Sequence, residues 1–188
     1  MAGNSADTQP EQKPLSAPPL RHSANSPLLS DILTVERRAG LWFDYARDCS
    51  DVMKRLTDES QSTTVLVPVN SAIVALPRKP HQLPPSSKIE IKDISFEEQD
   101  MAHASQVERW IQGHVIPESV PFPLPTQSAP FPTLLDSFSI SFNQSGQSDD
   151  GAKSIVVNPG EARVVDVLHG RNWRVVFLEG VVAVPVQG

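Results

Sequence analysis

Histidine, cysteine and serine are the side chains with enough reactivity to suggest chemistry, and their spacing decides what they could do. The five histidines stand at 22, 81, 103, 114 and 169. No His-x-x-x-His pair occurs among them, and with Cys49 as the single cysteine there is no Cys-x-x-Cys unit to give a metal two ligands from one element. No metal or other cofactor is therefore expected. A Ser-His-Asp hydrolase needs a serine raised on a strained strand-to-helix turn, and no Gly-x-Ser-x-Gly elbow is present. Asn158-Pro159-Gly160 is a turn signal between strands, not a phosphate-binding loop ahead of a helix. His114 has the most defined position, at the end of an apolar helical face formed by Val107, Trp110 and Ile111. Its expected role is that of a core histidine with hydrogen-bonded ring nitrogens. The alternative is a pocket near His114 that serves a small-ligand binder or a hydrolase. Asn143-Gln144-Ser145 is a glycosylation sequon in a polar run, Asn143 to Gly151, that reads as an exposed turn.

The elements that must position these residues are legible from periodicity and punctuation. Ser30-Asp31 is placed to cap a short helix through Leu33 to Glu36. Trp42, Tyr45, Cys49, Val52 and Leu56 recur at helical spacing, which predicts one helix from about Ala39 to Leu56 with Cys49 on its buried stripe. Thr64 to Val67 is a buried strand that Pro68 ends. Asn70 then caps a helix that Pro77 stops, its side-chain oxygen accepting from the amide of Ala72 or Ile73. Lys88 to Ile94 alternates like a half-buried strand, the acidic cluster at Glu97 to Asp100 suits a helix start, and Ser105 to His114 reads as a helix. The prolines between Pro121 and Pro132 predict an extended surface connection. Phe138, Ile140 and Phe142 alternate with serines, and strands follow at Ser154 to Asn158, Ala162 to Leu168, Trp173 to Leu178 and Val181 to Val184.

Thr63 to Pro77, with its strand, proline, capped helix and closing Ala-Leu-Pro, resembles the first signature box of fasciclin-type (FAS1) domains. His114-Val115-Ile116-Pro117 resembles the family's Tyr-His block, and Asn172 to Val182 its second box. The likeness begins at Leu28 and is weakest from Arg78 to Ser105. It implies an α+β fold, one fasciclin-like domain over 28–188 with N-terminal helices packed on a β-rich wedge of short strands. It also implies a non-catalytic interaction or adhesion module of the secretory pathway, at the cell surface, outside the cell or in a vacuole, with a protein or cell-surface partner. Gly113 stands where the family usually has tyrosine, so recognition attributed to the Tyr-His region does not carry over. The departing stretch holds Arg78, Lys79 and His81, which become candidates for a member-specific partner contact.

Composition bounds the remaining possibilities. A body of roughly 150 residues can bury about 68–70% of its unfolded surface, enough for a core without metal or disulfide. With 16 Lys and Arg against 22 Asp and Glu, the formal charge of −6 argues against nucleic-acid binding, which needs clustered cations. Residues 1–27 are rich in Pro, Ser, Asn and Gln, and read as a disordered tail. No apolar run reaches the length of a membrane span, and no signal peptide follows Met1, so a secretory destination requires a leader absent from this chain. A third reading is an intracellular protein whose tail folds on a partner.

Overall fold

A computed structural model of the chain describes residues 27–83, 95–125, 129–147 and 153–185. The segment expected as a strand at Lys88 to Ile94 and the tail before Pro27 lie outside the described residues. The chain opens with α1 (Leu29–Val35), a single 3-10 turn (Arg37–Ala39), α2 (Gly40–Arg47) and α3 (Ser50–Leu56). Strand β1 (Thr63–Pro68) and helix α4 (Asn70–Ala75) follow, then the long α5 (Phe96–Gln112). The rest is β2 (Val115–Ile116), β3 (Phe131–Pro132), β4 (Ser139–Gln147), β5 (Lys153–Asn158), β6 (Ala162–His169) and β7 (Trp173–Glu179).

The strands form one sheet in the order β2-β1-β7-β6-β5-β4-β3. Among the described residues only the β1–β7 pairing is parallel, matching Thr63 with Trp173 and Val67 with Phe177. The centres of these two strands, Val65 to Val67 and Val175 to Leu178, are buried on both faces, which is why each is apolar without alternation there. Val65, Val67, Val175 and Phe177 point into a core shared with α1, α2, α3 and α5, where Trp42, Phe43, Val52 and Ile111 meet them. Leu66, Val176 and Leu178 point the other way, into a second core with Ile116, Ile140, Phe142 and Val157. The α+β architecture with helices first is the one the sequence implies.

Several boundaries differ from the periodicity reading, each for a local reason. The single helix expected from Ala39 to Leu56 is broken at Cys49, whose extended backbone ends α2 and begins α3. Asp51 in the first turn and Lys54 and Arg55 in the last suit the dipole of an independent short helix. Cys49 remains buried, its thiol directed at the Tyr45 carbonyl. Ser30 and Asp31 lie inside α1, where Leu28 is the N-cap. Helix α5 starts well ahead of Ser105, because Ser95 and Glu98 form a reciprocal capping box. The Pro121 to Pro132 connection is more than surface, since Leu124 enters the second core, as does Val120 just before it, and Phe122 packs against that core. Thr64 anchors it, its hydroxyl donating to the Glu118 carbonyl at 2.7 Å and accepting from the Val120 amide at 2.9 Å.

The last two corrections concern the β half. Strand β4 runs on to Gln147, so Asn143 is an exposed strand residue paired with Val156 and not a turn residue. Val181 to Val184 is not a strand: after Gly180, at φ +119°, the chain leaves the sheet and crosses Gly160 and Gly113. A Cβ on Gly160 would lie 2.4 Å from the Val181 carbonyl oxygen, so only glycine lets the segment approach.

Candidate functional site

His114 lies at the junction of α5 and β2 and is completely buried. Its own amide turns back to the Ile111 carbonyl at 2.9 Å, which ends the α-helical pattern. The ring then supplies the bond the backbone gave up, Nδ1–H donating to the Trp110 carbonyl at 2.7 Å. That bond assigns the proton to Nδ1 and leaves Nε2 a bare acceptor, which has no partner among the described residues. A protonated ring would bury an unpaired N–H together with a charge, so burial pushes the pKa down to about 4, only partly opposed by the Trp110 bond. The Trp110 ring packs against the imidazole with centroids 4.4 Å apart. None of the three cavities described here is lined by His114, so the ring is sealed from any substrate they could admit.

Asn70 is a cap, but for a different helix from the one expected. It occupies the first position of α4, whose N-cap is Val69, and makes no bond to its own helix start. Its Oδ1 accepts from the Leu41 amide at 3.0 Å, while Nδ2 donates to the Arg37 carbonyl at 2.8 Å. One side chain thus satisfies an orphan amide at the start of α2 and fixes the 3-10 turn before it. The first turn of α2 brings no capping side chain of its own, which is why Asn70 is recruited across space.

Arg78, Lys79 and His81 fall in one loop but do different jobs. Lys79 Nζ reaches back over the C-terminus of α4, donating to the Ile73, Val74 and Leu76 carbonyls at 2.5 to 3.2 Å. A cation there satisfies orphan carbonyls and opposes the negative helix pole. His81 Nδ1 lies 3.0 Å from the Tyr45 hydroxyl, tying the loop to α2. Arg78 is exposed and lines a surface cleft.

That cleft has two lobes that share Leu76 and Val181. One, of about 310 Å³, lies between the Arg78 loop, Trp110 and the Val181 to Val184 segment. The other, of about 550 Å³, lies between Ser71, Ala72, Ala75 and Pro77 of the α4 region and Glu179 to Val181. Val74, 64% exposed, stands on the same helix. The floor exists because Gly113 has no side chain: a Cβ there would sit 2.5 Å from Val184 Cγ2. Sequence reasoning missed Val181 to Val184 as part of a surface site, since their apolar run reads as a strand. Asn143 is exposed on β4 and lines neither lobe. Among the described residues no group of three or more His, Cys, Asp and Glu could hold a metal ion. No helix there is long and apolar enough to cross a membrane.

No family model matches the chain. It is 30% identical over 183 residues to a FAS1 domain-containing protein of Neurospora crassa, covering 92% of this chain and 74% of that one. It is also 31% identical over 100 residues to one of Aspergillus fumigatus and 35% identical over 98 residues to one of Emericella nidulans. These two matches take in 52% and 50% of this chain, and 43% and 40% of the relatives. The fold matches a FAS1 domain pair from the insect cell adhesion molecule fasciclin I with a TM-score of 0.53 at 16% identity, over 80% of this chain and 47% of that one. With the order of boxes around β1, His114 and β7 and a relative matched across most of both lengths, the chain belongs to the family of FAS1 domain-containing proteins.

Proposed function

We propose that this chain is a non-catalytic interaction module of adhesion type, which recognises a protein partner through the two-lobed cleft beside α4. The observation that carries this reading is the cleft itself: walls of mixed polarity open to solvent, with Ala72, Ala75, Leu76 and Val181 as apolar surface and the exposed Arg78 beside them. A hydrolase or ligand site at His114 finds no support in an imidazole with no exposed surface. Arg78 is the contact residue of the candidate loop, while Lys79 and His81 hold it in shape. The fold is shared with domains of an insect cell adhesion molecule, which favours a partner at a cell surface or in the extracellular space, with a vacuole-like lumen as the other destination. In this reading the interaction domain spans 28–188, 1–27 is a tail outside it, and Asn143 carries a glycan in a secretory compartment.

Beads coated with the purified protein should retain intact fungal cells saturably, and the double variant Ala75→Asp, Arg78→Glu should lose most of that retention while keeping its unfolding midpoint. Equal retention by the variant would remove the cleft from the binding face. Turnover of a simple aryl ester that disappears in His114→Gln would reverse the reading in favour of a hydrolase.

A further inference from the structure

We propose that a second site, the cavity between Arg55 and Arg171, binds a small amphiphilic carboxylate. The cavity measures about 410 Å³, within the roughly 300–1,000 Å³ of small-molecule sites. It shares no lining residue with the cleft beside α4. Four segments enclose it: the chain at Pro27 to Leu29, the end of α3, the turn before β1, and the β6–β7 turn.

The acids in its wall are not equivalent to the cations. Asp58 is fully engaged within its own turn, Oδ1 accepting from the Ser60 amide and hydroxyl at 2.9 and 2.6 Å and Oδ2 from Gln61 Nε2 at 2.6 Å. Those bonds, with a smaller pull from the Arg55 charge, hold its carboxyl down to about 2, so it stays ionised and offsets part of the Arg55 charge without a direct bond to it. Neither Arg55 nor Arg171 takes part in any ion pair among the described residues. Arg55 is half-buried, and among the described residues only its Nη1 makes hydrogen bonds, long ones to the Ser62 carbonyl at 3.3 Å and the Thr63 hydroxyl at 3.4 Å. The remaining donors of a guanidinium fork are thus free to take a planar, bidentate carboxylate.

Leu28 supplies apolar wall for the ligand's body, backed by the buried Leu29, Leu56 and Trp173 in a lining that is otherwise polar. The frame is braced: Asn172 Nδ2 donates to the Glu59 and Gln61 carbonyls at 3.0 and 2.6 Å, and Trp173 Nε1 donates to the Pro27 carbonyl at 3.0 Å. With Asp58 and Glu59 in the same wall, a monoanion fits better than a phosphate dianion, whose second charge would meet two carboxylates.

Isothermal titration with 2-naphthoate tests the assignment, with 2-naphthamide as the neutral isostere and inorganic phosphate as the competing anion. Saturable one-to-one binding of the acid is expected, with the amide weaker by about tenfold or more, the usual worth of a charge-assisted pair. Arg55→Gln and Arg171→Gln should each weaken the acid by a similar factor and leave the amide unchanged. Arg171 is exposed, so its variant keeps the test open if Arg55→Gln disturbs folding. Equal affinity for acid and amide, no binding of the acid at millimolar concentration, tighter binding of phosphate, or an Arg171→Gln isotherm matching wild type would each overturn the proposal.

Discussion

Replacing His114 by glutamine should flatten the dependence of stability on pH between 7 and 5. The folded protein holds the imidazole at about 4 by burial, against an ordinary value of 6.5 in the unfolded chain. Below 6.5 the unfolded state therefore takes up a proton that the folded state refuses, and stability falls with pH until about 4, where both states are protonated. At 1.36 kcal/mol per pH unit, the loss from this group is about 2 kcal/mol by pH 5 and about 3 kcal/mol by pH 4. Glu36, lowered by its bond to Arg38, and Asp58, at about 2, also cost stability on acidification, but mainly as pH falls through their ordinary values of 4.5 and 3.8, below the interval from 7 to 5. Both chains carry those carboxylates, so the difference between them isolates His114. Urea midpoints at pH 7, 6 and 5 read it directly: wild type should lose about 2 kcal/mol more than His114→Gln across this interval. Parallel curves for the two chains would mean that the ring is not held neutral by burial and would refute the reasoning.

Three other outcomes follow from close contacts. Gly113→Ala should destabilise by about 1–3 kcal/mol, because its Cβ would lie 2.5 Å from Val184 Cγ2, and Val184→Ala on that background should recover most of the loss in a double-mutant denaturation cycle. Asn70→Ala should cost about 1–2 kcal/mol by chemical denaturation, since the Leu41 amide and the Arg37 carbonyl lose their shared partner, with Asn70→Asp restoring only the amide's bond. Cys49, 4% exposed and with its thiol pushed up to about 11 by burial, should resist a thiol reagent in the native state and react promptly once unfolded.

How much of this could be read from residues alone depends on what kind of interaction made each element. Strands β1 and β7 were legible because burial of their centres on both faces writes itself as short apolar runs, Val65 to Val67 and Val175 to Leu178, and β4 to β6 because alternation and turn residues frame them. The break at Cys49 was not, since the apolar spacing from Trp42 to Leu56 continues across it while the backbone does not. The start of α5 was available in Ser95 and Glu98 as a Ser-x-x-Glu signature, masked by the polar surface of that helix's first half. Val181 to Val184 misled because four apolar residues satisfy a strand pattern equally well when they pack across Gly113 and Gly160 instead of joining a sheet.

The candidate site was less legible than the fold, and the helix lengths explain why. Helices α1 to α4 contain 7, 8, 7 and 6 residues, so most of their backbone groups lie within a turn of an end. An α-helix leaves four amides and four carbonyls without internal partners, and in helices this short the orphans outnumber the internal bonds. Polar side chains that look chemical in the sequence are accordingly taken up by helix ends: Asn70 at α2, Lys79 at α4, and His114 at the longer α5. What remains for the proposed recognition is assembled from separate segments, parts of both fasciclin-type boxes among them, whose residues form no chemical motif. The cleft needs α4, the Arg78 loop and the chain after β7, and the arginine cavity needs four separate stretches, so neither has a spacing to detect. The same argument separates the two kinds of substitution: loss of Asn70 or His114, which bind helix ends and line neither site, should appear as lost stability with recognition intact, whereas Arg78 or Arg171, which bind no helix end, should change recognition with the unfolding midpoint unmoved.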